Sequence, residues 1–306
     1  MVVTSTSIES EGYQTVAMEV KIQTLTPIWT GGIEAGKCDR IHETGLLGSL
    51  RWWMEVLVRG MGGVVCDPTA EKSQDRSSLD TEKFHAKKYR ELQNEVERRK
   101  YLRDAGLCDV SQIFGATGWK RQFRLEVEEK NTSTIQIEDK YAKSRSLTAI
   151  KGKFTIKIQG LNPTFDPQII GGLIQFIADY STLGARPRMG FGVIKIEGDR
   201  IPMQPLYNWL IGTSGYKKYE NLPSLNNILM AKIQPKNLSF DDKGIKHDLR
   251  QLLRTNEDKP EVKSSKPILK KDKKKNQLAE EKNSVPRNQK DAQVFLRSLL
   301  GLSEDM

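Results

Sequence analysis

The order in which apolar periodicities follow one another is the feature of this chain that most constrains its fold. Segments with the two-residue period of a half-buried strand alternate with segments that have the period of an amphipathic helix. The strand-like segments are 16–24, 121–129, 149–160 and 192–198, and the helix-like segments are 43–63 and 166–180. This order predicts the α+β class, with a ferredoxin-like βαββαβ domain whose helices cover one face of an antiparallel sheet.

Local signals mark the ends of the two helices. Thr44 is the predicted N-cap of the first helix. In the second helix Asp166 can cap, Pro167 takes the first helical position, and Gly184 ends the apolar pattern.

The domain prediction follows from the same pattern. Residues 15–198 form the ferredoxin-like domain, and the charged stretch 66–110 is an insertion with a solvated helix. Residues 199–306 are predicted to form a smaller, mostly helical or incomplete second ferredoxin-like domain, with short helices at LYNWLIG, KHDLRQLLR and VFLRSLLGL. Within it, residues 256–290 carry eleven Lys and Arg against six Asp and Glu and are predicted to be disordered.

The charge of the chain favours a polyanionic partner. Most of the formal net charge of +10 lies on residues 1–255, so the folded part is basic without the Lys-rich segment. No apolar run could span a bilayer and no signal peptide is evident, which predicts a cytoplasmic protein without a membrane partner. The three cysteines are far apart in the sequence, so we expect reduced thiols.

The stretch LGARPRMGFG, residues 183–192, is the first candidate for binding RNA. Its spacing is neither a dinucleotide fingerprint nor a P-loop, because it follows a helix and precedes a strand and the chain holds no GK[ST]. Its glycines would let backbone amides approach phosphates while the arginines supply charge; an ordinary turn with solvated arginines is the alternative. The candidate residues here are Gly184, Arg186, Arg188, Gly190 and Gly192.

The first helix supplies a second group of candidates. Arg51, Trp52 and Arg59 lie off its apolar face, so an exposed Trp52 flanked by arginines could stack on a base. The alternative for Trp52 is packing under the 66–110 insertion. The predicted sheet offers only Phe154 as an aromatic platform, so the fold alone does not establish RNA binding.

Further candidates rest on charge or on residue type alone. Lys37 and Arg40 precede the first helix, and Lys143 and Arg145 lie in the loop between the two central strands. His42 could act as a general base in metal-free RNA cleavage, although a surface histidine is the simpler interpretation.

A metal site is a weaker hypothesis. Cys38 and His42 are four residues apart, with Cys66 and Cys108 as conceivable further ligands, but no CxxC pair supports zinc. We expect no metal and no cofactor.

Three stretches together resemble a known family: TGLLGSLRWWMEVLVRGMGGVVCDPT at 44–69, CDVSQIFGATGWKRQF at 108–123 and GARPRMGFG at 184–192. They resemble the RAMP superfamily of CRISPR-associated proteins, and specifically the first-numbered subunits of type III-B Cmr complexes. Arg51, Trp52, Arg186, Arg188 and the loop glycines match these motifs residue by residue, whereas the other basic candidates do not.

The resemblance implies a ferredoxin-like protein that binds guide and target RNA near the guide 3′ end, in antiviral defence, beside other Cmr-type subunits. It also implies that this subunit is not an enzyme. A metal-independent RAMP endoribonuclease that matures guide RNA, with His42 as general base, is the enzymatic alternative. A basic scaffold that binds mainly protein subunits is the other. The chain departs from the family after residue 256, where a second complete domain would be expected.

Overall fold

The computed structural model describes residues 16–66, 77–138, 146–212 and 222–228, together with 230, 294, 296–298, 300 and 302. Its strands are β1 (Ala17–Thr24), β2 (Phe123–Glu138), β3 (Ser146–Gly160) and β4 (Ile194–Ile196). Its helices are α1 (Glu43–Gly60), α2 (Ala86–Glu91), α3 (Glu95–Asp104), α4 (Asp109–Phe114), α5 (Gln168–Tyr180) and α6 (Gln204–Ile211). The protein is a mixed α+β structure.

The four strands form one antiparallel sheet in the order β2-β3-β1-β4. Alternation places one side chain in two on the helix-covered face: in β1, Val20 and Ile22 are buried opposite Ile156 and Phe154 of β3. The helices α1 and α5 pack on each other and on this face. The predicted alternation of strands and helices is therefore confirmed for the described residues.

The hairpin of β2 and β3 is longer than the sequence predicted. Residues 130–138 were expected to form a loop, yet they pair with β3 as far as Glu138 opposite Ser146. One extra residue in β2 shifts the register between Glu128 and Asn131. Beyond this bulge a second small apolar cluster forms, in which Ile137 and Ala149 pack on Phe191.

The charged insertion is two helices and not one. The run from 81 to 104 breaks after α2, and Asn94 caps α3 by accepting a hydrogen bond from the Glu97 amide at 2.8 Å. The predicted solvated character holds for α2, which has no buried residue, whereas α3 buries Leu102 and Arg99. Arg99 reaches Asp109 of α4 at 3.0 Å, which ties the insertion to the body of the protein.

The helix ends differ slightly from the prediction. His42, and not Thr44, is the N-cap of α1, and its side chain makes no capping hydrogen bond. At α5 the N-cap is Pro167, and not Asp166 as predicted, although the Asp166 Oδ1 accepts a hydrogen bond from the Gln168 amide at 2.9 Å. Among the described residues, no helix has the length and apolar character that crossing a bilayer requires.

The described residues after 199 join the main core. Leu206 and Leu210 of α6, Leu225, Leu296 and Leu300 all belong to the same buried cluster as α1 and the sheet. Of the short helix predicted at 294–302, residues 294 and 296–298 are helical, whereas residue 300 is in a turn and residue 302 is not helical. The helix predicted at 246–254 and the Lys-rich segment 256–290 lie outside the described residues, and the division at residue 198 stays a prediction.

The packing of Leu300 in the main core can be tested by measuring the stability of a variant. Because Leu300 is 2% exposed within the main core, Leu300→Ala should lower the free energy of unfolding by about 2–5 kcal/mol. Val294, nearby in the chain, is 65% exposed, so Val294→Ala should change it by less than about 0.5 kcal/mol. Urea denaturation of both variants measures the difference, and equal effects would contradict the packing.

Candidate nucleic-acid interface

Three segments of the chain meet at one end of the sheet. The linker 25–42 between β1 and α1 runs beside the glycine-rich loop 183–192, and the far half of the β2–β3 hairpin closes the third side. The Gly192 amide donates to the Pro27 carbonyl and the Ala185 amide to the Trp29 carbonyl, both at 2.8 Å. Ile28 and Ile150 exchange hydrogen bonds at 2.8 and 3.0 Å. Backbone hydrogen bonds therefore fix the position of the loop.

The loop glycines serve this backbone packing. Gly184, Gly190 and Gly192 have φ values of 94°, 82° and 81°, in the region that favours glycine. A Cβ on Gly192 would overlap the Leu183 carbonyl oxygen, and one on Gly184 would lie 2.9 Å from the Trp29 carbonyl oxygen. The glycines were predicted to let a phosphate approach the backbone closely. In the structure they let another part of the protein backbone do so.

The amides of these glycines are already used inside the protein. Gly184 donates to Ser49 Oγ at 3.0 Å and Gly190 to the Pro187 carbonyl at 2.9 Å, in addition to the bond from Gly192. The expectation that glycine amides of the loop face a phosphate is corrected on this point. The glycines shape the loop, and its side chains are what it offers to a ligand.

Arg186 is the most constrained side chain of the loop. Its φ of 61° and ψ of 42° are left-handed, and no other non-glycine residue in the described part of the chain has a positive φ. This conformation costs about 1–2 kcal/mol. The guanidinium carbon lies 4.1 Å from the centroid of the Trp29 ring, within cation–π distance. The fold thus holds a strained arginine on an aromatic ring.

Arg188 stands beside this pair on the short 3-10 turn Pro187–Met189 and is exposed. Within the part of the chain that the structure describes, neither Arg186 nor Arg188 forms an ion pair. Two positive charges without an acidic partner, next to an aromatic ring, form a surface suited to phosphate and base.

The basic residues of the linker have local acidic partners instead. Lys37 pairs with Glu34 at 2.5 Å and Arg40 with Glu43 at 2.9 Å, both at exposed positions. Such pairs are weak and can exchange their partners. Lys37 and Arg40 border the loop through this linker, so they remain RNA-binding predictions.

His42 is oriented by a carboxylate. Its Nε2 lies 2.9 Å from Asp39 Oδ1, and this hydrogen bond lowers the pKa of Asp39, which is exposed. The His42 amide donates to Thr30 Oγ1 at 2.9 Å, next to Trp29. An aspartate and a histidine in this arrangement could in principle move a proton, and this is the geometry that the enzymatic alternative requires.

The four residues considered as metal ligands do not form one site. Cys38 is buried and donates to the Arg40 carbonyl at 3.2 Å. Cys108 lies elsewhere, where a hydrogen bond with Cys66 lowers the pKa of Cys108 and raises that of Cys66. Among the described residues, no three His, Cys, Asp or Glu side chains are placed to hold a metal ion.

The first helix uses its arginines internally. Arg51 donates to Glu55 Oε1, the Gly115 carbonyl and Ser111 Oγ at 2.9–3.1 Å. Arg59 is 3% exposed and donates to Glu55 Oε2. Burial raises the pKa of Glu55, although both arginines oppose this shift. Arg51 and Arg59 therefore stabilise the fold, and neither presents its guanidinium as a free donor.

Trp52 keeps an exposed edge. It is 40% exposed and packs edge-to-face on Trp53, with ring centroids 4.6 Å apart. Its helix reaches the loop, because the Trp53 Nε1 donates to the Thr182 carbonyl at 3.2 Å. Base stacking by Trp52 stays a prediction. Lys143 and Arg145 lie outside the described residues.

The uncovered face of the sheet is charged, and several of its cations are paired with carboxylates. Lys157 pairs with Glu128 and, at 3.6 Å, with Glu19, while Lys153 pairs with Glu197 at 2.5 Å. Phe154 points into the core, and no aromatic side chain of the described strands lies on this face. The described strands therefore offer no ring on this face for a base to stack on, and the loop end of the sheet is the better candidate for RNA binding.

Sequence reasoning missed Trp29. It lies in the linker, packs against the small cluster that contains Phe191, and supplies the ring beneath Arg186. The available signal was a lone aromatic residue just before Thr30 and two glycines, between a predicted strand and a predicted helix. Only the folded structure shows that this ring and the loop arginine are neighbours.

The constraint on Gly192 can be tested by stability. Gly192→Ala should lower the free energy of unfolding by about 2 kcal/mol or more, because the methyl group meets the Leu183 carbonyl at a positive φ. Gly48→Ala is the matched control: it lies exposed in α1 with nothing within 4 Å of a Cβ. Alanine there should stabilise by about 0.5–1 kcal/mol. Chemical denaturation of both gives the sign of each effect, and a neutral Gly192→Ala would refute the close packing.

Comparison with protein-family models assigns this chain to a known family. The family model described as the RAMP superfamily matches residues 21–195. No curated protein matches the chain.

Solved structures with partial similarity come from CRISPR systems. Cmr1 from Pyrococcus furiosus in its apo form has 13% identity and a TM-score of 0.34, over 60% of this chain and 49% of that one. A chain of a type IV-B CRISPR complex has 12% identity and a TM-score of 0.39, over 69% and 98% of the two chains.

A chain of the type III-B Cmr-beta complex, bound to cognate target RNA and AMPPnP in the presence of ssDNA, has 12% identity and a TM-score of 0.33, over 74% and 68%. This protein spans about half the length of the Pyrococcus Cmr1 chain that it matches. At these TM-scores the overlap is partial, and the assignment depends on the family match.

Proposed function

Because the chain belongs to the RAMP superfamily, we propose that it is a non-catalytic RNA-binding subunit of a type III-B CRISPR effector complex. In this proposal its sheet and two covering helices are a ferredoxin-like domain, and it contacts guide or target RNA near the guide 3′ end. Other Cmr-type subunits are its protein partners, and its location is cytoplasmic.

One observation carries the proposal: two arginines without acidic partners stand beside a tryptophan on a loop that the backbone fixes. Arg186 is held over Trp29 at 4.1 Å, and Arg188 is exposed next to it. The rest of the basic surface offers less. Lys37, Arg40 and, on the sheet, Lys153 and Lys157 have carboxylates within 4.0 Å. The exposed sheet lysines without an ion pair among the described residues, Lys21 and Lys195, have no aromatic side chain of the described strands on their face. A strand of RNA gains most where cations have no internal partner to give up.

The surface favours single-stranded RNA over a duplex. A guanidinium on an indole ring presents a flat, positively charged platform on which an unpaired base can stack, while Arg188 reaches a neighbouring phosphate. No element for reading base edges accompanies the pair among the described residues of the loop, so we expect little sequence preference at this surface.

The first test measures the salt dependence of binding. For wild-type protein and labelled single-stranded RNA, affinity should fall with salt with a log-log slope of about −0.7 per phosphate contacted. Replacing Arg186 and Arg188 by alanine should weaken binding and make the slope shallower by about 1.4, which corresponds to two lost contacts. Fluorescence anisotropy at several salt concentrations measures both quantities.

A second double variant controls for charge. Arg124→Ala with Lys130→Ala removes the same charge from the sheet, where these residues pair with Glu126 at 2.8 Å and Glu128 at 3.2 Å. It should leave affinity and slope nearly unchanged. Equal losses in both double variants would mean that general charge, and not this loop, binds the RNA.

The enzymatic alternative makes a different prediction about His42. We expect purified protein to leave RNA intact, and His42→Ala to bind RNA as the wild type does. A metal-independent nuclease would instead release a 2′,3′-cyclic phosphate product that His42→Ala abolishes and Asp39→Asn diminishes. Gel and mass analysis of the RNA after incubation with EDTA decides between the two, and that product would overturn the non-catalytic assignment.

A further inference from the structure

A second candidate binding site, which is a cleft, lies at the far end of the domain from Arg186. It is a cleft of about 320 Å³ between α3, the turn before β2, the segment before α5, and Trp209 of α6. The helix α5 begins beside this cleft and ends before the glycine-rich loop, so about 20 Å of helix separates the two. A ligand in the cleft would leave the loop surface free.

Aromatic rings form much of the cleft wall: Tyr89, Trp119, Phe165 and Trp209. Arg99 lies against Trp209, with its guanidinium carbon 4.3 Å from the ring centroid. Phe165 stacks on the core residue Phe123 at 5.8 Å. Rings held in this way present rigid, flat surfaces, which suit a planar ligand better than a flexible aliphatic one.

The charges of the wall do not favour a phosphate. Arg99 is 4% exposed and pairs with Asp109 at 3.0 Å. Arg98 donates its Nε to the Leu92 carbonyl at 3.0 Å, and Glu95 lies on the same wall. Two cations and two carboxylates leave little net charge at the cleft wall. An uncharged ring therefore suits the cleft better than a phosphate does.

Glu95 offers both of its carboxylate oxygens to the cleft, whereas Asp166 of the same wall uses its Oδ1 on the Gln168 amide. The Glu95 carboxyl has no hydrogen-bond or ion-pair partner among the described residues, whereas the amides of Gln112, Gln122 and Asn162 bond within the protein. Although Glu95 is exposed as a residue, desolvation at the cleft raises its pKa, against the effect of Arg99 and Arg98. A carboxylate with two open oxygens accepts two parallel N–H bonds.

We propose that this cleft binds a purine base, with guanine preferred, through stacking on its aromatic wall and a two-fold hydrogen bond from guanine N1–H and N2–H to the Glu95 carboxylate. Adenine lacks both of these donors in that arrangement and presents an acceptor at N1 instead. The volume lies at the lower end of small-molecule sites and holds one nucleoside and not a chain of them. The base comes either from a free nucleoside or from an unpaired guanine in an RNA strand.

The test titrates the full-length protein with guanosine and with adenosine, and follows tryptophan fluorescence because Trp119 and Trp209 line the cleft. Guanosine should bind about tenfold more tightly than adenosine, and Glu95→Gln should abolish that preference. Trp209→Leu should weaken binding of both nucleosides about tenfold. Val96→Ala, at an exposed position of α3 outside the cleft wall, should change neither affinity.

A second arm separates the two sources of the base. An oligouridylate with one central guanosine is compared with oligouridylate alone, on wild type and Glu95→Gln. If free guanosine does not bind but the single guanine strengthens binding of the wild type only, the base comes from a strand and the site is confirmed. The double variant Arg186→Ala with Arg188→Ala should bind guanosine normally, so failure of the RNA-binding proposal and failure of this one give different results.

Three outcomes would overturn the cleft proposal. One is no guanine-dependent binding in either arm up to about 1 mM, the limit of weak recognition. Another is equal affinity for adenosine and guanosine in the wild type, and the third is an unchanged preference in Glu95→Gln. Because glutamine has the shape of glutamate, this variant should keep its thermal midpoint, and it remains informative even if Trp209→Leu unfolds.

Discussion

Backbone packed on backbone at the glycine-rich loop is the interaction on which the rest of this molecule depends. The loop bonds to the β1–α1 linker at Pro27 and Trp29 and to α1 at Ser49, at separations that side chains at Gly184 and Gly192 would prevent. The loop, the linker and the start of α1 therefore move as one piece. Trp29 and Arg186 can face each other only because this contact sets their two backbones in place.

The distribution of ion pairs divides a basic protein into distinct surfaces. Buried arginines such as Arg59 and Arg99 neutralise buried carboxylates, and Lys153 and Lys157 of the open sheet pair with glutamates. These cations add to the formal charge but contribute little to the attraction of a polyanion at close range. The net charge of a chain is thus a poor guide to its binding surface, and the pairing of each cation is a better one.

Much of the fold could be predicted because periodicity is a local property. The burial of alternate residues in β1 and of one face of α5 follows from the sequence alone. The extension of β2 to Glu138 could not be predicted with the same security, since its polar residues form a strand only when β3 and Phe191 lie beside them. The break between α2 and α3 was also missed, because a uniformly charged run gives no apolar phase to follow.

The candidate site was predicted in part for a related reason. Loop glycines and arginines are visible in a sequence, and the positive φ values of Gly184, Gly190 and Gly192 agree with the close backbone approach expected of glycine. Which donors remain free after folding is a property of tertiary contacts, so the engaged amides and the internal partners of Arg51 were not foreseen. Trp29 was missed because its importance depends on a residue more than 150 positions away.

The bulge in β2 determines which face of the sheet each later residue of the strand occupies. Before the bulge, odd-numbered residues of β2 pair with even-numbered residues of β3, as Leu125 does with Ile158; after it, odd pairs with odd, as Ile135 does with Ala149. If the register of the first half continued through these residues without a bulge, Ile135 would lie opposite Thr148 and face away from Phe191. Insertions of two residues near the hairpin tip would therefore keep each side chain on its face of the sheet. The single extra residue at the bulge is fixed, because it places Ile135 and Ile137 on the face that meets the glycine-rich loop.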